Sequence, residues 1–184
     1  MKILTLILLL LAIAGVSAGQ GKSNDAVAKQ LRSLGTGKSF KIEYDKDSDT
    51  TKIIAVAENF NQKEAEKAGV QVMNFAMAFT YAGRSLTAAP DKIKLAFWIV
   101  TKRPQFASAH GLKVTVGQET VDLGDSRYSP KPSDNMEYLT FEIARGDLKK
   151  IAVAGAKLRL GNADLTFTTG HAALLNDLLL VSTP

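Results

Sequence analysis

The segment 70–81 constrains the fold more than any other part of the chain, because its large apolar side chains recur at every second position. These side chains are Met73, Phe75, Met77, Phe79 and Tyr81. A period of two is typical of a β-strand, whose successive side chains point to opposite faces, and it argues against an amphipathic helix. We expect the large face to enter the core. The alanines of the other face would let a neighbouring element approach closely.

The same alternation recurs along the chain between turn-forming residues. It continues in Ile93, Leu95, Phe97 and Ile99. Trp98 and Val100 fall on the second face of that segment, which predicts that this end of the strand is covered on both sides. Residues 124–135, with Pro130 and Pro132, are expected to form a long exposed loop.

Taken together, the alternating segments predict about eight short strands at hairpin spacing, with short helices at the N-terminus and the C-terminus. This pattern indicates an α+β fold that is mainly β, built as an antiparallel β-sandwich or a curled sheet. A Leu-rich final helix over residues 171–181 is expected to dock on the sheet. The interpretation as a whole is one strand-rich domain.

The first residues have the features of a secretory signal peptide. Lys2 precedes an apolar run over residues 3–14, and the small residues Val16 and Ala18 flank a cleavage site after Ala18. The run is about a dozen residues long, whereas a membrane-spanning helix needs roughly 20. We therefore predict a periplasmic or extracellular protein without a transmembrane segment after cleavage. The alternative is an uncleaved N-terminal anchor.

This interpretation divides the chain into three parts. Residues 1–18 are the predicted signal peptide, 19–37 a helix and a flexible joint, and 38–184 the strand-rich domain with its C-terminal helix. The chain has no cysteine, which excludes disulfides and thiolate zinc ligands. The domain must therefore rely on its hydrophobic core.

The net charge of +5 suggests an anionic partner. The lysines and arginines are, however, scattered among acidic residues rather than grouped, so we predict no nucleic-acid binding. A mild positive charge favours contact with anionic surfaces through long-range attraction. The oligomeric state is not determined by these features.

No catalytic or metal-binding motif is complete. Asp45, Asp47 and Asp49 have the spacing that opens a calcium loop, but the glycine and the glutamate that such a loop requires are missing, so an acidic hairpin turn is the expected role. His110 and His171 are far apart in sequence and are expected at the surface. The sequence predicts no cofactor, no metal and no catalytic site, although a hydrolase with an unrecognised site remains an alternative.

Two segments combine basic residues with an aromatic residue and a proline, a composition that binding loops favour. Arg103 and Phe106 lie in the first segment, and Arg127 and Tyr128 lie in the second. These four residues form the predicted contact site for a protein or an envelope component. The competing structural interpretation is that both aromatic rings fold back to seal the ends of the domain.

A second functional hypothesis is a carrier for an apolar small molecule. Its ligand would lie between the sheet and the final helix, where adaptable methionines suit a pocket as well as a core. The residues expected to line this pocket are Met73, Met77, Phe79, Leu175 and Leu179.

Overall fold

The structure is a computed structural model that describes residues 21–184. The predicted signal peptide and its cleavage site after Ala18 lie outside these residues. Among residues 21–184, no helix combines the length and the apolar content needed to cross a membrane.

Twelve strands and four α-helices follow one another along the described chain. The strands are β1 (Lys22–Ser23), β2 (Phe40–Asp45), β3 (Thr50–Val56), β4 (Val70–Ala82), β5 (Ser85–Leu86), β6 (Lys92–Thr101), β7 (Gly111–Val116), β8 (Glu119–Asp125), β9 (Arg127–Lys131), β10 (Met136–Ala144), β11 (Lys157–Leu160) and β12 (Ala163–Thr166). The helices are α1 (Asn24–Ser33), α2 (Gln62–Lys67), α3 (Arg145–Ile151) and α4 (Thr169–Val181). Short 3₁₀ turns occupy Gly37–Ser39 and Pro132–Asp134.

The strands form two main sheets, in which every pairing is antiparallel. The six-stranded sheet has the order β2-β3-β4-β6-β10-β9, and the four-stranded sheet has the order β12-β11-β7-β8. β1 and β5 form a small separate pair. The predicted class, an α+β fold that is mainly β with antiparallel sheets, is confirmed.

One hydrophobic core joins the inner faces of both sheets to the helices. The alternating side chains of β4 predicted to enter the core, from Met73 to Phe79, are buried there, and α4 contributes its leucines. Val27 and Leu31 of α1 are buried in the same cluster, so the N-terminal helix packs on the strand-rich part of the chain. Burial of this apolar surface supplies the main stabilisation of a domain without disulfides.

Two local expectations are wrong. Residues 124–135 do not form one long loop, because residues 127–131 form β9, which pairs with β10 at the edge of the large sheet. Pro130 is compatible with this position, since an edge strand leaves one side of its backbone unpaired. The second error concerns Trp98 and Val100, which are partly exposed rather than covered on both sides.

Candidate functional site

The residues predicted to contact a partner divide into two exposed arginines and two aromatic rings turned inward. Arg103 and Arg127 are exposed. Phe106 is only 2% exposed and belongs to the core, and Tyr128 packs against that core as a partly buried residue. The four side chains therefore do not form a common surface cluster, and the ring of Phe106 is inaccessible to a partner.

A buried glutamate explains why the loop after β6 folds back. Glu137 of β10 accepts the backbone N–H groups of Gln105, at 2.9 Å, and Phe106, at 3.0 Å. Its carboxylate also accepts the hydroxyls of Thr101, at 3.2 Å, and Tyr128, at 3.0 Å. These bonds tie the loop to β10, and the ring of Phe106 lies in the core.

The carboxylate of Glu137 also affects its tyrosine partner. Burial, together with the hydrogen bond to Glu137 and its negative charge, raises the pKa of Tyr128, because each of them disfavours a phenolate. Tyr128 therefore remains a neutral hydrogen-bond donor within the fold.

The space between the sheet and α4 is filled by protein. Met73, Met77, Phe79, Leu175 and Leu179 are each less than 9% exposed and belong to one continuous core cluster. Both ends of α4 are also held. Arg145 donates to the carbonyl of Leu179 near the C-terminal end, at 3.0 Å. The residues proposed for a carrier pocket thus serve as core.

At the N-terminal end of α4, His171 is fully buried instead of lying at the surface. Its Nε2 bonds the carbonyl of Glu58 at 3.0 Å, and its Nδ1 accepts the backbone N–H of Thr168 at 3.2 Å. Phe60 lies against the ring, with centroids 4.6 Å apart. Burial lowers the pKa of His171, and this effect exceeds the opposing effect of the hydrogen bond to the Glu58 carbonyl. The neutral ring is therefore favoured. Because both ring nitrogens are engaged, this histidine holds the helix in place.

The face of the six-stranded sheet opposite the core, here called the outer face, differs from these interior sites. Strand pairing sets its side chains in rows that cross β3, β4, β6 and β10. From one end of the sheet, the rows are Val72, Val100 and Met136; Asn74, Trp98 and Tyr138; Val56, Ala76, Ala96 and Thr140; and Ile54, Ala78, Lys94 and Glu142.

Apolar and aromatic residues dominate the first three rows of the outer face, and they remain accessible in the described part of the chain. Val56 is 41% exposed and Val72 is 37% exposed, while Trp98 and Tyr138 are partly exposed. Isolated exposed apolar residues are normal on a protein surface, whereas a contiguous group of them is less common.

The fourth row leads into a trough with a volume of about 470 Å³, here called the alanine trough. Its floor is formed by Ala76, Ala78 and Ala96, whose small side chains leave the space. Its sides carry Lys52, Lys92, Lys94, Ile54 and Glu142. The trough is therefore apolar at its floor and predominantly basic at its margin.

Within the described part of the chain, one shielded polar atom of the outer face lacks a hydrogen-bond partner. The Oδ1 atom of Asn74 is shielded from solvent and makes no hydrogen bond with any described residue. Asn74 pairs directly with Trp98 across β4 and β6, in the second row. An acceptor left in this state costs free energy, because it has lost its hydration without replacement.

The two predicted arginines border the outer face at separate points. Arg127 of β9 pairs with Thr140 at the end of the third row. Arg103 lines a small cavity of about 90 Å³ together with Met136. Within residues 21–184, no group of three or more histidine, aspartate or glutamate side chains is placed to hold a metal ion.

No family model, curated protein or solved structure matches this chain. Reasoning from the sequence missed Trp98, Tyr138 and the alanine trough as a surface. The alanine face of β4 was visible in the sequence, but its extension across the sheet depends on a strand order in which β6 lies between β4 and β10.

Proposed function

We propose that this protein is an exported, non-catalytic binding domain whose outer face contacts a protein or another component of the cell envelope. The observation that carries the proposal is the accessible apolar group around Trp98, which continues into the alanine trough. A soluble domain rarely exposes such a surface without a use for it, because exposed apolar area favours aggregation.

The interior polar groups support a binding role over catalysis. Glu137 accepts four different donor groups, and His171 engages both ring nitrogens, so each is committed to holding local structure. A general acid or base needs a reactive atom that can reach a substrate. The filled core beneath α4 likewise gives no support to a carrier role.

The test is site-specific photo-crosslinking in the native host, with benzoylphenylalanine incorporated at one of three positions. Ala78 probes the alanine trough, Arg103 probes the loop after β6, and Lys149, an exposed residue of α3, serves as the control. We expect an adduct of defined mass from position 78 and none from position 149.

A crosslink from position 103 with none from position 78 would move the contact surface to the loop and refute the outer face. Equal labelling from positions 78 and 149 would show only random encounter, and would also refute the proposal. An adduct of twice the chain mass from position 78 would identify a second copy as the occupant.

A further inference from the structure

We infer that the occupant of the outer face is an acidic amphipathic α-helix of a partner protein. This inference rests on the proposed function, in which the outer face is the contact surface. It adds the secondary structure and the charge of the partner, which follow from the backbone pairing, the dimensions and the side chains of the face.

The backbone pairing favours a helix over an extended segment. β4 and β6 lie inside the six-stranded sheet, so their backbone groups already bond neighbouring strands on both sides. A strand laid on top of them would bury its own N–H and C=O groups without partners. A helix satisfies these groups internally, and an apolar stripe is all that it needs to present.

The dimensions of the alanine trough also fit a helix. In the fourth row Ala78 lies between Ile54 of β3 and Lys94 of β6, two strand spacings or about 10 Å apart. In the third row the alanine floor is one strand wider, so the sides are about 14 Å apart. An α-helix with its side chains measures about 10–12 Å across. The four rows extend over about 20 Å along the strands, which about 14 helical residues would span. Small floor residues allow the close approach that this packing requires.

The lysines at the margin of the trough favour a partner helix that carries acidic residues. The margin of the trough carries three lysines and one glutamate, and that glutamate, Glu142, pairs with Lys92 at 3.5 Å. Lys94 makes no ion pair with any described residue, and neither does Lys52, although Lys52 lies opposite Glu43, which pairs with Lys41 at 2.6 Å. Acidic residues flanking the apolar stripe of a helix would lie beside these two lysines.

The same charge disfavours a second copy of the chain, whose lysines would meet those of the first. The shape disfavours a bilayer surface, because the alanines are recessed between longer side chains and a flat surface would leave the trough unfilled. A protein helix meets both conditions.

The experiment uses a displayed library of amphipathic helices about 18 residues long, in which an apolar stripe of Leu and Ala is fixed. The positions flanking the stripe are randomised among Glu, Gln and Lys. Selection is made on the wild-type protein and on a Lys52→Glu/Lys94→Glu variant, whose changes lie at exposed positions. Trp98 is the only tryptophan of the chain, so its emission reports occupation of the outer face without a label.

We expect wild-type protein to enrich Glu over Lys at the flanking positions by at least about tenfold, and the double variant to reverse that preference. Selected helices should shift the emission of Trp98. They should lose at least about tenfold in affinity for Ala78→Gln, which fills the trough and keeps the tryptophan. Circular dichroism and urea unfolding check that both variants remain folded.

Helices that bind through Trp98 without any preference for Glu would overturn the acidic partner and leave the proposed function standing. Selected helices that neither shift Trp98 emission nor respond to Ala78→Gln would remove the outer face as a contact surface, and with it the proposed function. Phosphatidylglycerol vesicles that shift the emission when no selected helix does would replace the protein partner by a lipid surface.

Discussion

Replacing Glu137 by alanine is expected to lower the free energy of unfolding by about 3–6 kcal/mol, a large part of the total stability of a domain of this size. The carboxylate accepts four donor groups, from Thr101, Gln105, Phe106 and Tyr128. Tyr128 is partly exposed, so its hydroxyl can turn to water. The other three donors lose their acceptor in buried or partly buried surroundings, at about 1–2 kcal/mol each.

The assay is urea unfolding followed by the fluorescence of Trp98. Glu142→Ala is the matched control, because Glu142 lies on the same strand, its side chain is 63% exposed, and among the described residues it pairs with Lys92 alone. We expect this control to remain within about 0.5 kcal/mol of wild type. Hydrogen exchange should also rise in residues 102–110 of Glu137→Ala.

A loss below about 1 kcal/mol for Glu137→Ala would refute the reasoning, because it would mean that the loop finds other acceptors or does not depend on this carboxylate. A loss of about 3–6 kcal/mol in Glu142→Ala as well would also refute the reasoning. It would show that negative charge on β10 matters rather than the buried hydrogen bonds.

Two further predictions concern His171 and the glycine turns. Below about pH 6.5 a histidine in the unfolded chain binds a proton, whereas the buried His171 stays neutral. The unfolded state therefore binds more protons, and the free energy of unfolding falls as the pH drops, by up to about 1.4 kcal/mol per pH unit. Urea midpoints measured at several pH values should show a smaller slope in His171→Gln, and an unchanged slope in that variant would contradict the argument. Gly161→Ala should lower the free energy of unfolding, measured by thermal unfolding, by at least about 2 kcal/mol more than Gly117→Ala. Both glycines have a positive φ, but only at Gly161 would a Cβ lie 2.0 Å from the carbonyl oxygen of Ala109. Equal losses would mean that the close approach relaxes freely.

Local patterning predicted the elements whose periodicity was unbroken. The alternation from Met73 to Tyr81 specified both the strand and the face that enters the core. The acidic hairpin turn at Asp45, Asp47 and Asp49 was likewise predicted from local composition, and it joins the paired strands β2 and β3. Each of these inferences needed only neighbouring residues.

The features that local patterning missed depend on distant partners. β9 contains a proline and little apolar surface, so only its pairing with β10 defines it as a strand. His171 is buried because the segment containing Glu58 and Phe60 lies against it, more than a hundred residues away in sequence. Phe106 was included in the predicted contact site, with a ring folded back into the domain as the competing interpretation. The sequence does not decide between the two, because the role of Glu137 cannot be read from its place in a strand.

The most informative error concerns Trp98. A strand with large residues on both faces implies cover on both sides, and that inference is physically sound for a segment that must bury its apolar surface. Yet one face stays accessible within residues 21–184, while the other is fully packed. Sequence rules tend to fail where a residue serves a partner rather than the fold of its own chain. Trp98, the recessed alanines and two lysines that make no ion pair within residues 21–184 form the face that we propose is covered by a partner.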